Sequence, residues 1–207
     1  YADKVGYTSP NHRISDIINE TINKAEGRIL FNVFQTQLFR IQEFLNELKK
    51  INNTMELNGL LFSLNEETKE AVITGRTAEA LNENGELLIP AKVVFDNVEY
   101  LVTEIGESAF DGDEDITALV VEEGVKTIRE LAFNWCSSLK TVQLPASITT
   151  IENEVFHACA KLVSVVLPEN LSTIQYCTFE NCYRLQSVTW PQALESIESE
   201  AFRCCYF

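Results

Sequence analysis

Between residues 105 and 207, an apolar pattern returns every 23 residues without a slip. It is marked by a column of phenylalanines and a column of isoleucines: Phe110, Phe133, Phe156, Phe179 and Phe202, with Ile105, Ile128, Ile151, Ile174 and Ile197. A fixed interval of about 20 to 50 residues is typical of a solenoid, in which each repeat buries its apolar side against its neighbours. The pattern therefore predicts a stack of similar coils in this half of the chain.

Each unit has further fixed positions, which predict a strand. In the units that begin at Phe133 and Phe156, cysteine stands three residues after the phenylalanine, leucine six, valine nine, leucine eleven and proline twelve; the unit at Phe179 has Trp190 at the second leucine position. The proline ends the strand because it has no amide donor. We expect turns or short helix on the opposite face, and parallel strands near residues 116–121, 139–144, 162–167 and 185–190. The first unit departs from the pattern, with Asp113 and Glu122 at the cysteine and proline positions.

The N-terminal residues 1–57 have a different period. From Ile14, apolar side chains recur every three or four positions, which predicts a helical segment. Between residues 31 and 48 the steps alternate between three and four, which is the spacing of a coiled-coil seam. Packing on the same chain and pairing of two copies both fit this stripe, and both alternatives stay open.

Residues 58–104 alternate apolar and polar side chains with a period of two. Two hairpins are predicted, with turns at 66–67 and 96–97, and residues 75–87 are expected to form a loop. Because a solenoid leaves the apolar end of its first coil unpaired, these strands are interpreted as an N-terminal β-hairpin cap. An enzyme site within this segment is a rival interpretation, although no catalytic motif supports it.

The charge of the chain excludes some partners. Its 31 acidic and 16 basic residues give a net charge of −15. A surface of that sign repels phosphate backbones and anionic lipid, so we expect no nucleic-acid partner. No apolar run approaches the roughly 18 residues of a spanning helix, so direct membrane insertion is not expected either. The sequence begins at Tyr1, so an export signal could have been removed or could lie outside it.

Four of the six cysteines share one column of the repeat: Cys136, Cys159, Cys182 and Cys205. Small apolar thiols buried in a stacked core are the favoured interpretation. Disulfides between adjacent coils remain an alternative, because the expected spacing is close to the distance that a bridge needs. Zinc is disfavoured, since the sequence has neither a Cys-x2-Cys motif nor a nearby pair of histidines.

Two other groups of polar residues suggest chemistry only weakly. Asp111, Asp113, Asp115 and Glu122 have the spacing of a calcium loop, but Ile116 stands where that loop needs glycine, so a solvated acidic turn is favoured. His157 lies in a column of varied polar residues, which we interpret as a solvated position and not as a catalytic base. We therefore expect no catalytic residue, metal or cofactor.

The surface best suited to binding is the face of the predicted strands. Its outward positions are the seventh, eighth and tenth after each phenylalanine, and their side chains are largely uncharged. They are Thr117, Ala118 and Val120; Lys140, Thr141 and Gln143; Val163, Ser164 and Val166; and Gln186, Ser187 and Thr189. We expect this face to bind a protein, because solenoids use such extended faces for partners. A plain exposed sheet has the same composition.

The repeat resembles the unit of the BspA-like leucine-rich repeat family, LxxIxxxAFxxCxxLxxVxLPxx. Two stretches carry the resemblance most closely: LKTVQLPASITTIENEVFHAC at 139–159 and LVSVVLPENLSTIQYCTFENC at 162–182. It extends over about 150 residues and does not include 1–57. The expected fold class is thus an α/β solenoid: a helical segment (1–57), a β-hairpin cap (58–104) and leucine-rich repeats with parallel strands on one face (105–207).

The resemblance also implies a function. Members are surface or secreted proteins of mucosa-dwelling microbes that bind host matrix proteins and cells, and they share no catalytic residues. The expectation is therefore a non-enzymatic protein, extracellular or at the cell surface, whose partner is a protein such as a host extracellular matrix component. The alternative is a scaffold that forms homo-oligomers through the helical segment or the C-terminal repeat edge.

Overall fold

The computed structural model describes residues 54–206. The predicted helical segment, with its seam at 31–48, lies outside the described residues except for Thr54–Leu57, which is a strand. Within 54–206 there is no α-helix, and one turn of 3-10 helix occurs at Ala78–Ala80. The described part is a solenoid of strands and turns with parallel strands on one face, so the predicted solenoid is confirmed there, whereas the helical part of the predicted α/β class is not supported.

The first three strands form an antiparallel meander of β1 (Thr54–Leu57), β2 (Leu60–Asn65) and β3 (Glu70–Arg76). In the turn between β2 and β3, the Asn65 Oδ1 accepts hydrogen bonds from the amides of Glu67 and Thr68 at 3.0 and 3.1 Å. The side chain of Asn65 thus closes the turn, and the first predicted hairpin is confirmed.

The second predicted hairpin is also confirmed. It consists of β5 (Lys92–Phe95) and β6 (Val98–Ile105), which pair antiparallel. Asp96 and Asn97 connect them with positive φ angles of 49° and 63°. Two successive left-handed residues make the turn whose twist matches that of the flanking strands. Strand β6 then pairs in parallel with β3.

One face of the repeats is a five-stranded parallel sheet. Its strands are β4 (Glu86–Ile89), β7 (Ala118–Val121), β9 (Thr141–Gln143), β11 (Ser164–Val166) and β13 (Ser187–Thr189). We call its outward surface the strand face. The four predicted strands are confirmed in place, although each is shorter than expected.

Strand β4 corrects the expected loop at 75–87. Gly75 and Arg76 end β3, while Glu86 and Leu87 begin β4. The stretch reads as a loop because the polar run Asn82–Gly85 precedes an apolar run too short to show a period. Residues 86–89 form a strand because they pair in parallel with β7 over their whole length. The sheet of the repeats therefore begins one strand earlier than predicted.

The opposite face consists of turns and two-residue strands, and not of helix. These strands are β8 (Thr127–Ile128), β10 (Thr150–Ile151), β12 (Thr173–Ile174) and β14 (Ser196–Ile197), and each contains one isoleucine of the repeat column. β6, β8 and β10 pair in parallel, as do β12 and β14. The prediction of turns is confirmed for this face, whereas no short helix occurs between residues 105 and 206.

Left-handed residues explain why no helix forms on this side. Each coil has one residue with φ between 51° and 70° two positions before its phenylalanine and another two positions after it. They are Ser108 and Gly112, Leu131 and Trp135, Glu154 and Ala158, Cys177 and Asn181, and Glu200 and Cys204. An L-residue in this conformation costs about 1–2 kcal/mol and cannot continue a right-handed helix, so the chain turns twice in each coil.

The core lies between the two sheets and is centred on the phenylalanine column. Successive rings stack with centroids 5.0 to 5.6 Å apart and planes within 14° of parallel. Phe133, Phe156 and Phe179 are fully buried, as are Leu139 and Leu162, which lie two residues before their strands. The isoleucines of the column up to Ile174 are buried on the other side of the core, so the 23-residue period produces one continuous apolar column.

Candidate functional site

Register aligns the outward side chains of the strand face in two rows. One row runs Glu86, Ala118, Thr141, Ser164 and Ser187, and the other runs Leu88, Val120, Gln143, Val166 and Thr189. Neighbouring strands of a sheet lie about 4.8 Å apart, so each row is a regular ladder of side chains. The structure thus brings together the eighth and tenth positions of the repeat, as the sequence predicts.

The seventh positions form a third column directly before the strands. Lys140 donates its amide to the carbonyl of Thr117 at 2.8 Å, Val163 to Lys140 at 3.2 Å and Gln186 to Val163 at 2.8 Å. This backbone ladder places the column beside the two rows. All twelve residues chosen from the sequence therefore border one continuous surface.

The first coil is less accessible than the later ones. Thr117, Ala118 and Val120 are half-buried, whereas the other nine residues are exposed. A turn covers this end, because Thr117 donates its amide to the carbonyl of Gly85 at 2.8 Å and its hydroxyl to that of Asn84 at 2.6 Å. The open part of the strand face accordingly extends from Lys140 to Thr189.

Two residues of this surface were missed by the sequence reasoning. Glu86 and Leu88 extend the rows by one strand, and the Leu88 side chain is 49% exposed. Glu86 lies within the expected loop at 75–87, and Leu88 directly follows it. The alternation of Leu87 and Ile89 inward with Leu88 outward is the signal that could have found them, but it covers only one period.

The buried-thiol prediction is confirmed for Cys136, Cys159 and Cys182, which are free and fully buried. Each donates its S–H to the carbonyl of the preceding coil's phenylalanine, over 3.2 to 3.4 Å. Burial raises the pKa of the Cys136 thiol to about 12 and that of Cys159 well above its usual value. A thiol held neutral in this way is a packing group, since the thiolate is the reactive form.

Cys177, outside the column, lies in a group with two carboxylates. Its sulfur and the oxygens of Glu180 and Glu200 lie within 4.8 Å of one another. The guanidinium of Arg203 lies 3.3 Å from Glu180 and 2.7 Å from Glu200, so both carboxylates already have a cation. The arrangement is therefore an ion-pair cluster beside the Cys177 thiol. Burial raises the pKa of this thiol to about 11.

The four acidic residues with calcium-loop spacing have separate partners. Asp111 accepts a hydrogen bond from the side-chain amide of Asn134 at 2.8 Å, and Glu122 accepts one from the backbone amide of Ala91 at 2.8 Å. Asp113 and Asp115 both pair with Arg76. Within 54–206 these carboxylates do not converge on one point. The favoured interpretation of an acidic turn thus gains a structural reason, because the carboxylates serve protein contacts.

The interpretation of His157 as a solvated position is wrong, although Asp111 and Arg203 of the same column are exposed. His157 is half-buried, and its Nδ1 donates to the Oδ1 of Asn134 at 2.7 Å, because an amide oxygen can only accept. Its Nε2 accepts from the Nδ2 of Asn181 at 3.1 Å. Both ring nitrogens are engaged, so the imidazole forms part of a polar ladder that links successive coils.

Comparison with known proteins places this geometry in a family. A family model described as the BspA type leucine rich repeat region matches residues 101–207 in six copies. The chain belongs to this leucine-rich repeat family. The predicted resemblance is thereby confirmed.

Solved structures of bacterial leucine-rich repeat proteins are similar in fold. A T. pallidum leucine-rich repeat protein has 26% identity and a TM-score of 0.63, over 72% of this chain and 67% of that one. A leucine rich cell surface protein from Faecalibacterium prausnitzii A2-165 has 26% identity and a TM-score of 0.56, over 72% of this chain and 46% of its own. A leucine-rich repeat protein from Bacteroides capillosus has 29% identity and a TM-score of 0.54, over 70% and 96% of the two chains.

These similarities establish the fold of the repeats, and they extend over only part of the length of some relatives. The chain spans about two thirds of the T. pallidum protein and under half of the F. prausnitzii protein. No curated protein sequence matches it. Among residues 54–206, no helix is long and apolar enough to cross a membrane. Leucine-rich repeat domains of this kind generally present their extended faces to protein partners.

Proposed function

We propose that this leucine-rich repeat protein is a non-enzymatic, surface-displayed or secreted protein that binds a protein partner through its strand face. Adhesion to host matrix or host cells is the proposed role. The observation that carries the proposal is the open part of the strand face, where nine outward side chains of three coils are exposed on parallel strands paired in register.

The chemistry of this surface supports a protein partner. Val163 and Val166 are 40% and 61% exposed, and they lie among threonine, serine and glutamine side chains. Exposed apolar groups between small hydroxyl groups suit an interface whose affinity comes from buried area and a few hydrogen bonds. Because pairing with neighbouring strands holds these strands in register, the partner would meet a surface that needs little ordering on binding.

The proposed location rests on the family and one relative. The F. prausnitzii protein, 26% identical over 72% of this chain, is described as a cell surface protein. A position outside the cell would bring the strand face into contact with matrix and host proteins. It would also suit an acidic protein, since net negative charge keeps it soluble and disfavours adsorption to anionic membranes.

The proposal is tested with the full chain on a panel of immobilised matrix proteins: collagen, laminin and fibronectin. Binding is measured by surface plasmon resonance for the native chain and for a variant with Thr141, Gln143, Ser164 and Val166 replaced by glutamate. We expect saturable binding to at least one component and a loss of at least tenfold in the variant, with an unchanged circular dichroism spectrum. Unchanged affinity in the folded variant would refute the proposal.

Self-assembly is a second candidate function, favoured by the apolar surface of the last described coil. Trp190 is 46%, Ile197 49% and Tyr206 74% exposed there, and β13 and β14 are the outer strands of their sheets. Light scattering of the chain with and without residues 1–57 separates two routes. A dimer lost on truncation favours the seam at 31–48, whereas a dimer weakened by Tyr206→Glu favours the repeat edge.

A further inference from the structure

Three cations line one border of the strand face, where the chain enters the strands. Lys161 and Arg184 occupy the fifth position after Phe156 and Phe179, and Lys140 occupies the seventh after Phe133. The Nζ of Lys161 donates to the Ser138 hydroxyl at 3.4 Å, which brings its ammonium over the coil that carries Lys140. We call Lys140, Lys161 and Arg184 the cationic rim.

The three cations of the cationic rim have no ion pair within 54–206, although they lie in a strongly acidic region. Residues 54–206 contain 25 acidic and 9 basic side chains, a net charge of −16. Four of the nine cations pair with carboxylates: Arg76, Lys92, Arg129 and Arg203. No rim residue has an ion pair within 54–206, and all three are exposed.

The carboxylate best placed to neutralise the rim is already engaged. Asp115 occupies the fifth position of the first coil, in the same column as Lys161 and Arg184, and its carboxylate faces the guanidinium of Arg76 at 3.4 Å. Three positive charges on adjacent coils therefore remain available to an external anion.

The opposite border of the strand face has the other sign. Glu122, Glu123 and Glu169 follow the strands there. Glu123 accepts hydrogen bonds from the amides of Ala146 and Ser147 at 3.0 and 3.1 Å, which holds its carboxylate near the next coil. Crossing the face from the start of the strands to their end, the border charge changes from positive to negative, with the exposed valines between.

We propose that the partner presents an extended acidic and apolar peptide segment to the strand face. This inference rests on the proposed function and adds the chemistry of its partner. Carboxylates of the segment pair with the cationic rim, while its apolar side chains pack against Val163 and Val166. The segment runs along the stack of coils, so that successive acidic residues meet successive rim cations.

Charge also argues for a peptide and against a long polyanion. A net charge of −16 repels a sulfated glycan or nucleic acid along its length. Screening limits that repulsion to about 8 Å at physiological salt, so a short acidic segment feels mainly the three cations beside it. Residues 1–53 carry seven basic and six acidic side chains, so the chain's own N-terminal segment lacks the complementary charge.

The test measures fluorescence anisotropy of the full chain with three labelled probes. They are a peptide of alternating aspartate and valine flanked by Gly-Ser, the same peptide with lysine in place of aspartate, and a heparin-derived oligosaccharide. The rim variant is Lys161→Glu with Arg184→Glu, and the matched control is Lys126→Glu, an exposed cation beside the opposite sheet. Urea unfolding verifies that both variants fold.

We expect saturable binding of the acidic peptide alone, weakened about tenfold in the rim variant and by less than about twofold in the control. Binding should also weaken as salt rises from about 0.05 to 0.5 M, because exposed charge pairs are screened. A neutral variant, Lys161→Gln with Arg184→Gln, should lie between the native chain and the reversed one.

Four results would overturn the inference: no saturable binding of the acidic peptide, equal binding of the lysine peptide, an unchanged affinity in the rim variant, or binding of the oligosaccharide alone. Each is distinguishable from failure of the proposed function. If a matrix protein binds and the strand-face glutamate variant loses it, a negative peptide result refutes only the acidic segment. If neither binds, the strand face itself is refuted.

Discussion

The guanidinium of Arg76 forms a salt bridge with the carboxylate of Asp113, in which Nη2 donates to Oδ1 at 2.6 Å. Both side chains are nearly buried, 10% and 13% exposed. Asp113 stands at the position where later coils carry cysteine, and Arg76 ends β3. The departure of the first unit from the repeat is thus the joint between the N-terminal strands and the solenoid.

Breaking this joint should be costly. Replacing Arg76 by methionine leaves the Asp113 carboxylate largely buried without its cation, and we expect the free energy of unfolding to fall by about 3 kcal/mol in urea titrations. Adding Asp113→Cys to that variant restores an apolar side chain at the cysteine position and should recover most of the loss. Equal stability of the native chain and the single Arg76→Met variant would contradict this role.

The phenylalanine column should stabilise the coils unequally. Phe156 is fully buried and stacks with rings on both sides at 5.6 Å, so Phe156→Ala should cost about 3–5 kcal/mol in the same titrations. Phe202 is only half-buried, with its ring 5.3 Å from that of Phe179 and 5.4 Å from that of Trp190, so its side chain is less shielded from water and Phe202→Ala should cost less than Phe156→Ala. Equal losses would mean that the stack is not the main core.

Thiol labelling tests the cysteine column. Cys204 is exposed, whereas Cys136, Cys159 and Cys182 are buried with raised pKa values, so iodoacetamide at about pH 8 should modify Cys204 first in the native chain. Mass spectrometry after unfolding in urea without reductant should then show labelling of the three buried thiols. Protection that persists in urea would instead reveal disulfides.

Gly112 tests the left-handed turns. Its φ is +70°, and a Cβ built there meets nothing within 4 Å, so a substitution there changes only the backbone preference. Gly112→Ala should therefore lower the free energy of unfolding by about 1 kcal/mol. Gly112→Asn is the control and should cost less, because asparagine tolerates this conformation. If both variants match the native chain, the turn is not under strain.

The strictness of the 23-residue period explains how much of the fold was predictable. Phe133 and Phe156 recur with every companion residue in phase, so the coils and their strands follow from the sequence. The two-residue strands of the opposite face do not follow from it, because nothing in the sequence shows that residues such as Leu131 and Glu154 adopt left-handed conformations. Strand β4 was missed since only its pairing with β7 distinguishes it from a loop.

The candidate surface was predictable for a different reason. Alternation around the buried Val142 and Val165 fixes which neighbours point outward, so Thr141 and Ser164 follow from the period alone. The partial burial of Thr117 cannot be predicted from the period, because it depends on hydrogen bonds to the turn at 84–85, which is distant in sequence.

One comparison tests the central claim most directly. Thr141 and Thr150 are exposed threonines of the same coil, in strands β9 and β10 on opposite faces. Glutamate at each position makes the same chemical change on the strand face and on the back. The measurement is the dissociation constant of the full chain for the matrix component that it binds. We predict at least a tenfold increase for Thr141→Glu and less than a twofold change for Thr150→Glu. Equal effects, or a larger effect at Thr150, would contradict binding through the strand face.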